Sequence, residues 1–155
     1  MGYLVVYYSR SGNTQKVGKA ISRSLRCRED RIFDRKDRSG AMGFITGGWD
    51  AWRGKTTDIY SEGEESIDGD HLIIGTPVWA GNPAPAVRTY LKEYKDEIGK
   101  VSFFCTMGGS GHEKAFQTMS GLCGKEPERT LAISEKEVKR EDIGSEVKRF
   151  IDKIS

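Results

Sequence analysis

Five short apolar runs recur along the 155 residues: YLVVYY (Tyr3 to Tyr8), RIF (Arg31 to Phe33), HLIIG (His71 to Gly75), VSFFC (Val101 to Cys105) and TLAI (Thr130 to Ile133). A strand that is apolar along its whole length needs cover on both faces, and that requirement is met by a parallel sheet with helices above and below it. The segments between the runs supply the cover. Val17, Ala20, Ile21, Ser24 and Leu25 fall on one helical face, as do Val87, Tyr90, Leu91, Tyr94 and Ile98. The same period returns in Ala115, Phe116, Met119, Leu122 and Cys123, and in Ile143, Val147, Phe150, Ile151 and Ile154. The alternation predicts the α/β class. Between the second and third runs, Met42, Ile45, Trp49 and Trp52 are spaced three and four apart and predict a loose helix. Gly43, Gly47 and Gly48 weaken it by about 1 kcal/mol each relative to Ala. It is expected to be the second helix of the fold, with Trp49 and Trp52 packed on the sheet.

The first run leads directly into SRSGNT, residues Ser9, Arg10, Ser11, Gly12, Asn13 and Thr14. Three hydroxyls, an amide and a glycine that permits a sharp turn crowd hydrogen-bond donors into one small volume, and the following helix adds its free N–H groups. A phosphate monoester can be held this way without a lysine, each charge-assisted bond contributing roughly 1.5–3 kcal/mol net. Arg10 either adds to the site or points away from it. The competing role for Asn13 or Thr14 is to cap the helix whether or not a ligand exists. The spacing fits neither GxxxxGKS/T nor GxGxxG, so neither an ATPase nor a dinucleotide loop is indicated.

Strand, hydroxyl-rich loop and helix in this order resemble the FMN phosphate loop of the flavodoxins, with Ser9, Ser11, Gly12 and Thr14 at the patterned positions. Two further stretches, GTPVWAGNPAP (Gly75 to Pro85) and CTMGGSGHEKAF (Cys105 to Phe116), resemble the loops with which that family encloses the flavin ring. The resemblance implies a flavodoxin-like doubly wound sheet of five parallel strands in the order 2-1-3-4-5. In that order the first, third and fourth strands are neighbours, and their three loops leave from one edge, beside the switch point where open α/β sheets bind ligands. It further implies an FMN held by Ser9, Arg10, Ser11, Gly12, Asn13 and Thr14, by Thr76, Pro77, Val78, Trp79, Ala80 and Gly81, and by Thr106, Met107, Gly108, Gly109 and Gly111. Trp79 has two possible packing partners, the flavin or the core, and the segment bearing Trp49 and Trp52 has a second reading as a mobile flap or subunit contact near the flavin. Many flavodoxins are strongly acidic, whereas this chain carries a net charge of +2.

Other classes fit poorly. Residues 1–40 hold ten Lys or Arg against four Asp or Glu, but most of the charges fall on the polar side of one helix and the turn after it, without the aromatic interleaving of a nucleic-acid face. Three cysteines with no CxxC pair argue against a disulfide framework, a zinc site or a redox dithiol, and Cys105 is expected to be inert core. GGSGH lacks the last glycine of a nucleophile elbow, and His112-Glu113 does not continue to HExxH. His112 is expected to decorate a helix N-terminus, His71 has no visible partner, and EGEESIDGD (Glu62 to Asp70) reads as a solvated turn rather than an acidic docking patch. No run approaches the ~18 apolar residues of a membrane span. The expectation is one cytoplasmic domain over residues 1–155, a monomer or weak homodimer with no catalytic residues and no metal. It would serve as a low-potential FMN electron carrier between redox partner proteins, the alternative being an FMN-dependent NAD(P)H:quinone or flavin reductase.

Overall fold

The computed structural model describes residues 2–61, 67 and 70–154, so the turn expected over Glu62 to Asp70 lies almost wholly outside the described residues. The elements in chain order are β1 (Tyr3–Tyr8), α1 (Asn13–Leu25), β2 (Arg28–Asp34), α2 (Gly40–Trp52), β3 (Ile59–Ser61), β4 (His71–Trp79), β5 (Asn82–Pro83), α3 (Pro85–Glu93), β6 (Lys100–Met107), α4 (His112–Cys123), β7 (Thr130–Ser134), α5 (Glu135–Lys139) and α6 (Gly144–Ile154). The five apolar runs are β1, β2, β4, β6 and β7, and they pair in parallel in the order β2-β1-β4-β6-β7, which is 2-1-3-4-5 in the numbering of the runs. Among the described residues two strands come in addition. The short β3 pairs antiparallel with β2 at the edge, and β5 folds back on the end of β4 as a hairpin.

Alternation along β1 shows why both faces are covered. Leu4, Val6 and Tyr8 point to one side, where they join Val87 and Leu91 of α3 and Met119 of α4. Val5 and Tyr7 point to the other, joining Val17 and Ile21 of α1 and Val147 and Phe150 of α6. For α1, α3, α4 and α6 the predicted helical faces are therefore the buried ones. The third predicted helix-bearing segment is shorter than its pattern: α3 stops at Glu93, a 3-10 turn covers Lys95–Glu97, and Ile98 enters the core from beyond the helix. Cys105 is fully buried, and burial pushes its thiol up to about 12, as expected of an inert core residue.

The packing of α2 reverses the expectation. Gly43, Gly47, Asp50 and Ala51 form its buried face, while Met42, Ile45, Trp49 and Trp52 face outward. Gly43 and Gly47 explain the reversal. A Cβ on Gly43 would overlap the backbone of Arg38, and one on Gly47 would sit 2.9 Å from the Trp79 ring, so only the glycine face can approach this closely. The start of α2 is held by a buried ionic cluster that the sequence pattern does not announce. Arg38 donates from Nε to Asp34 Oδ2 at 3.0 Å and from Nη1 to Asp50 Oδ2 at 2.7 Å, and Lys36 Nζ reaches the same Asp50 oxygen at 3.1 Å. Burial pushes the Asp50 carboxyl up, but the hydrogen bonds from Arg38 and Lys36 outweigh it and hold the group below the ordinary carboxylate range. Removing one partner of such a buried pair costs about 3–5 kcal/mol.

His71, expected to lack a partner, has one. At the start of β4, its Nε2 shares a 2.8 Å hydrogen bond with Ser102 Oγ of β6, and the ring lies against Tyr3. The side chain is buried, and the cost of desolvating its charged form lowers its pKa from the ordinary 6.5. The folded state therefore holds a neutral imidazole where the unfolded chain binds a proton, so this contribution to stability is complete above pH 6.5 and is lost as pH falls from 6.5 toward the lowered folded value. Urea unfolding of the wild type and of His71→Asn between pH 7.5 and 5 is expected to show a steeper acid-side loss in the wild type, and equal slopes would contradict the assignment.

Candidate functional site

The turn after β1 is set by its own side chains. Gly12 N–H donates to Ser9 Oγ at 3.1 Å, and Gly12 takes φ of +100°, a left-handed conformation that a side chain would strain. Gly12 is also the N-cap residue of α1, and no side chain caps that helix. The first helical N–H bonded back to the turn is that of Lys16, to Gly12 O at 3.1 Å, so the N–H groups of Asn13, Thr14 and Gln15 have no intrahelical acceptor. The capping role open to Asn13 or Thr14 is thus not taken up. The buried Thr14 hydroxyl instead shares a 2.7 Å hydrogen bond with Thr106 Oγ1 at the end of β6, tying the first loop to the third.

Arg10 points across to α2. Its Nε donates to Arg38 O at 2.7 Å and its Nη2 to Gly40 O at 2.8 Å, with the guanidinium 5.7 Å from the Phe44 ring. The residue therefore latches the first loop to the helix whose position the Arg38 cluster determines. Its charge still lies on the wall of the cavity described below.

The second loop is a two-residue hairpin between β4 and β5, with Trp79 opposite Asn82. Ala80 at φ +52° and Gly81 at φ +77° supply the two left-handed residues that such a turn needs. For Ala80 this conformation costs roughly 1–2 kcal/mol. The hairpin is braced from both sides. The buried Thr76 Oγ1 accepts from Ala84 N at 3.0 Å and donates to Pro77 O at 2.8 Å, while Asn82 Nδ2 donates to Ala51 O at 3.0 Å, at the end of α2. Trp79 is half-buried, edge-on to Tyr8 at 5.8 Å and packed on Gly47. The third loop touches the second, since a Cβ on Gly111 would lie 3.0 Å from Val78 and 3.2 Å from Gly81 Cα.

These loops enclose a cavity of about 320 Å3. Of the residues expected to bind a cofactor, Arg10, Ser11, Thr14, Pro77, Val78, Trp79, Ala80, Thr106 and Gly108 line it. Ser9, Gly12, Asn13, Thr76, Gly81, Met107, Gly109 and Gly111 belong to the same three loops but lie outside the wall itself. Trp79 packs on Tyr8 and on Gly47 of α2, and it also lines the cavity. Phe44, Gly48 and Glu135 also line the cavity and were not expected there. Glu135 has a readable signal, because it follows the fifth apolar run and so leaves the sheet at the same edge as the three loops. Phe44 and Gly48 have none, since their place depends on the reversed packing of α2. A larger depression of about 500 Å3 lies beside Arg129, Arg149 and Lys153, and none of the three loops reaches it.

The arrangement joins an uncapped helix N-terminus to an aromatic wall. The first favours an anion and the second a flat apolar group. The described residues contain no cluster of His, Cys, Asp or Glu suited to a metal ion, and no described helix is long and apolar enough to cross a membrane.

Solved structures resemble the chain over nearly its whole length. A flavoprotein in complex with FMN from Lactobacillus acidophilus NCFM matches with a TM-score of 0.74 at 24% identity, covering 90% of this chain and 97% of that one. Oxidised flavodoxin 2 from Bacillus cereus matches at 0.55 with 17% identity, covering 99% of each, and a flavodoxin from the domain Archaea at 0.50 with 17% identity, covering 96% and 99%. No family model and no curated protein matches the chain. With the strand order and the placement of the loops, these likenesses establish that the chain has the flavodoxin-like fold.

The Thr14–Thr106 bond can be tested without any ligand. Thr14→Val leaves the Thr106 hydroxyl buried without its partner and is expected to lower stability by about 1–3 kcal/mol. Adding Thr106→Val should cost less than the sum of the two single changes, as read from urea unfolding, and strict additivity would contradict the coupling.

Proposed function

We propose that the protein binds one FMN noncovalently in this cavity and acts as a low-potential electron carrier between redox partner proteins in the cytoplasm, residues 1–155 forming its single FMN-binding domain. The observation that carries this reading is that the uncapped N-terminus of α1 and the Trp79 wall belong to one cavity. An anion site alone would suit many phosphorylated ligands. Joined to an aromatic wall and two close-lying loops, it suits a phosphate carried on a flat ring. The Lactobacillus acidophilus flavoprotein, the neighbour with a TM-score of 0.74, is a complex with FMN, which supports the same choice.

When bound, FMN supplies the one- and two-electron redox chemistry, and the surrounding protein tunes it. The Ser9 to Thr14 loop and the first turn of α1 would hold the phosphate through backbone N–H groups and the Ser11 hydroxyl, with Arg10 adding positive charge from the wall rather than hydrogen bonds, since Nε and Nη2 already serve backbone carbonyls. Backbone groups of Thr76 to Gly81 and of Thr106 to Gly111 would lie along the ring. Trp79 would cover one part of it, held in place by Tyr8 and Gly47.

The second reading, an FMN-dependent NAD(P)H:quinone or flavin reductase, is favoured by a different observation. Phe44 is 69% exposed at the cavity wall, so the site has an open apolar approach that a second substrate could use. Steady-state NAD(P)H oxidation with a quinone or free FMN as acceptor separates the two, with fast turnover excluding a pure carrier.

The proposal is tested by adding FMN to the flavin-free protein. Binding is expected to give a yellow protein whose melting temperature rises with FMN concentration. Gly12→Val strains the left-handed position that aims the turn and is expected to weaken FMN binding by roughly 100-fold, the equivalent of one or two charge-assisted hydrogen bonds. A protein that stays colourless, or a Gly12→Val variant that binds FMN as tightly as the wild type, would overturn the site.

A further inference from the structure

The outward face of α2 is the least expected surface of this molecule. Met42 is 72% exposed, Ile45 62%, Trp49 56% and Trp52 60%, all on one side of a helix whose buried side is made of glycines, Ala51 and Asp50. A surface helix of a monomer has the opposite arrangement. No charge interrupts the outward face, because Asp50 is the one charged residue of α2 and it is buried with Arg38. With Phe44 beside them, these side chains present on the order of 500 Å2 of apolar surface. That lies at the upper end of the largest patch on a typical monomer and within reach of the ~800 Å2 that each partner buries in a standard interface. The face is also ordered. Trp49 and Trp52 pack against each other at 5.4 Å, and the Arg53 guanidinium lies 5.8 Å from the Trp49 ring.

We propose that this face is an isologous dimer interface, in which α2 packs antiparallel against α2 of a second copy of the chain. The pattern of residues is self-complementary about a two-fold axis at Gly47. Such an axis sets Met42 opposite Trp52 of the second copy and Ile45 opposite its Trp49, so each large ring meets a smaller aliphatic side chain rather than another ring. Of the exposed charges just before the helix, Lys36 is paired with Asp50 and Arg35 lies over the Tyr60 ring, which leaves Asp37 as the charge open to a second copy. Asp37, fully exposed just before the helix, comes to the end where Arg53 and Lys55 of the second copy stand exposed, and the same pairing repeats at the other end. The two helix dipoles also run antiparallel. A membrane surface or an unrelated protein would require no such match between the two ends of one helix. Phe44 and Gly48, on the same helix, line the cavity, so the interface would border the mouth of the site.

Sedimentation velocity and light scattering of the full chain across about 1–200 μM test this. The wild type is expected to dimerise, and Trp49→Glu to raise the dissociation constant by roughly 30-fold or more, the size of a central hot spot, without changing the far-ultraviolet circular dichroism spectrum. Asp37→Lys should weaken the dimer, and combining it with Arg53→Asp and Lys55→Asp should restore it, a reciprocity that a general loss of apolar surface would not produce. A wild type that stays monomeric throughout overturns the proposal, including the case in which that monomer binds lipid vesicles. A dimer unaffected by Trp49→Glu overturns it too.

Discussion

The structure depends on one topological constraint: β1 and β4 lie side by side and parallel, yet the helices that follow them leave to opposite faces of the sheet. A chain wound this way must leave a crevice at the carboxyl edge between the two strands, because no connection crosses it. Everything assigned to the site grows from that crevice. The turn after β1 opens into it, the β4–β5 hairpin forms a wall, and β6, next to β4, brings Thr106 within hydrogen-bond distance of Thr14. That bond spans 92 residues of sequence, so the first and third loops are held in register by the sheet itself rather than by their own flexibility.

The second organising element is α2, and it works by a different logic from the other helices. Its contact with the sheet is made by absence, through glycines that let the helix backbone close on Arg38 and on the Trp79 ring. Three polar anchors then hold it: the Arg38 cluster at its start, the Arg10 latch to the first loop, and Asn82 on the carbonyl of Ala51 near its end. One helix therefore connects a buried ionic cluster, the first loop, the hairpin of the cavity and an exposed apolar face.

Much of this was legible in the sequence where the signal was periodic. Apolar runs and helical faces are local consequences of burial, and they located the five parallel strands and the buried sides of α1, α3, α4 and α6. The short β3 was not legible because its three residues, Ile59 to Ser61, are largely exposed and lack an apolar run of their own. For α2 the periodicity correctly placed a helix but pointed it the wrong way. An apolar stripe normally marks the core, and only the contact distances at Gly43 and Gly47 show that the smaller residues are inside. The three loops of the site were readable as motifs. What joins them was not, since the Thr14–Thr106 bond, the Arg10 latch and the position of Phe44 are tertiary facts with no local pattern.

The first turn of α1 and the two loops beside it are proposed to form one ligand site. Titrating 15N-labelled flavin-free protein with FMN and following the backbone amide resonances tests it most directly. The largest shifts are expected to fall on residues 11–15, 76–81 and 106–111 and to saturate together at one equivalent. No shifts in the 11–15 segment, or shifts gathered instead around Arg129, Arg149 and Lys153, would contradict it.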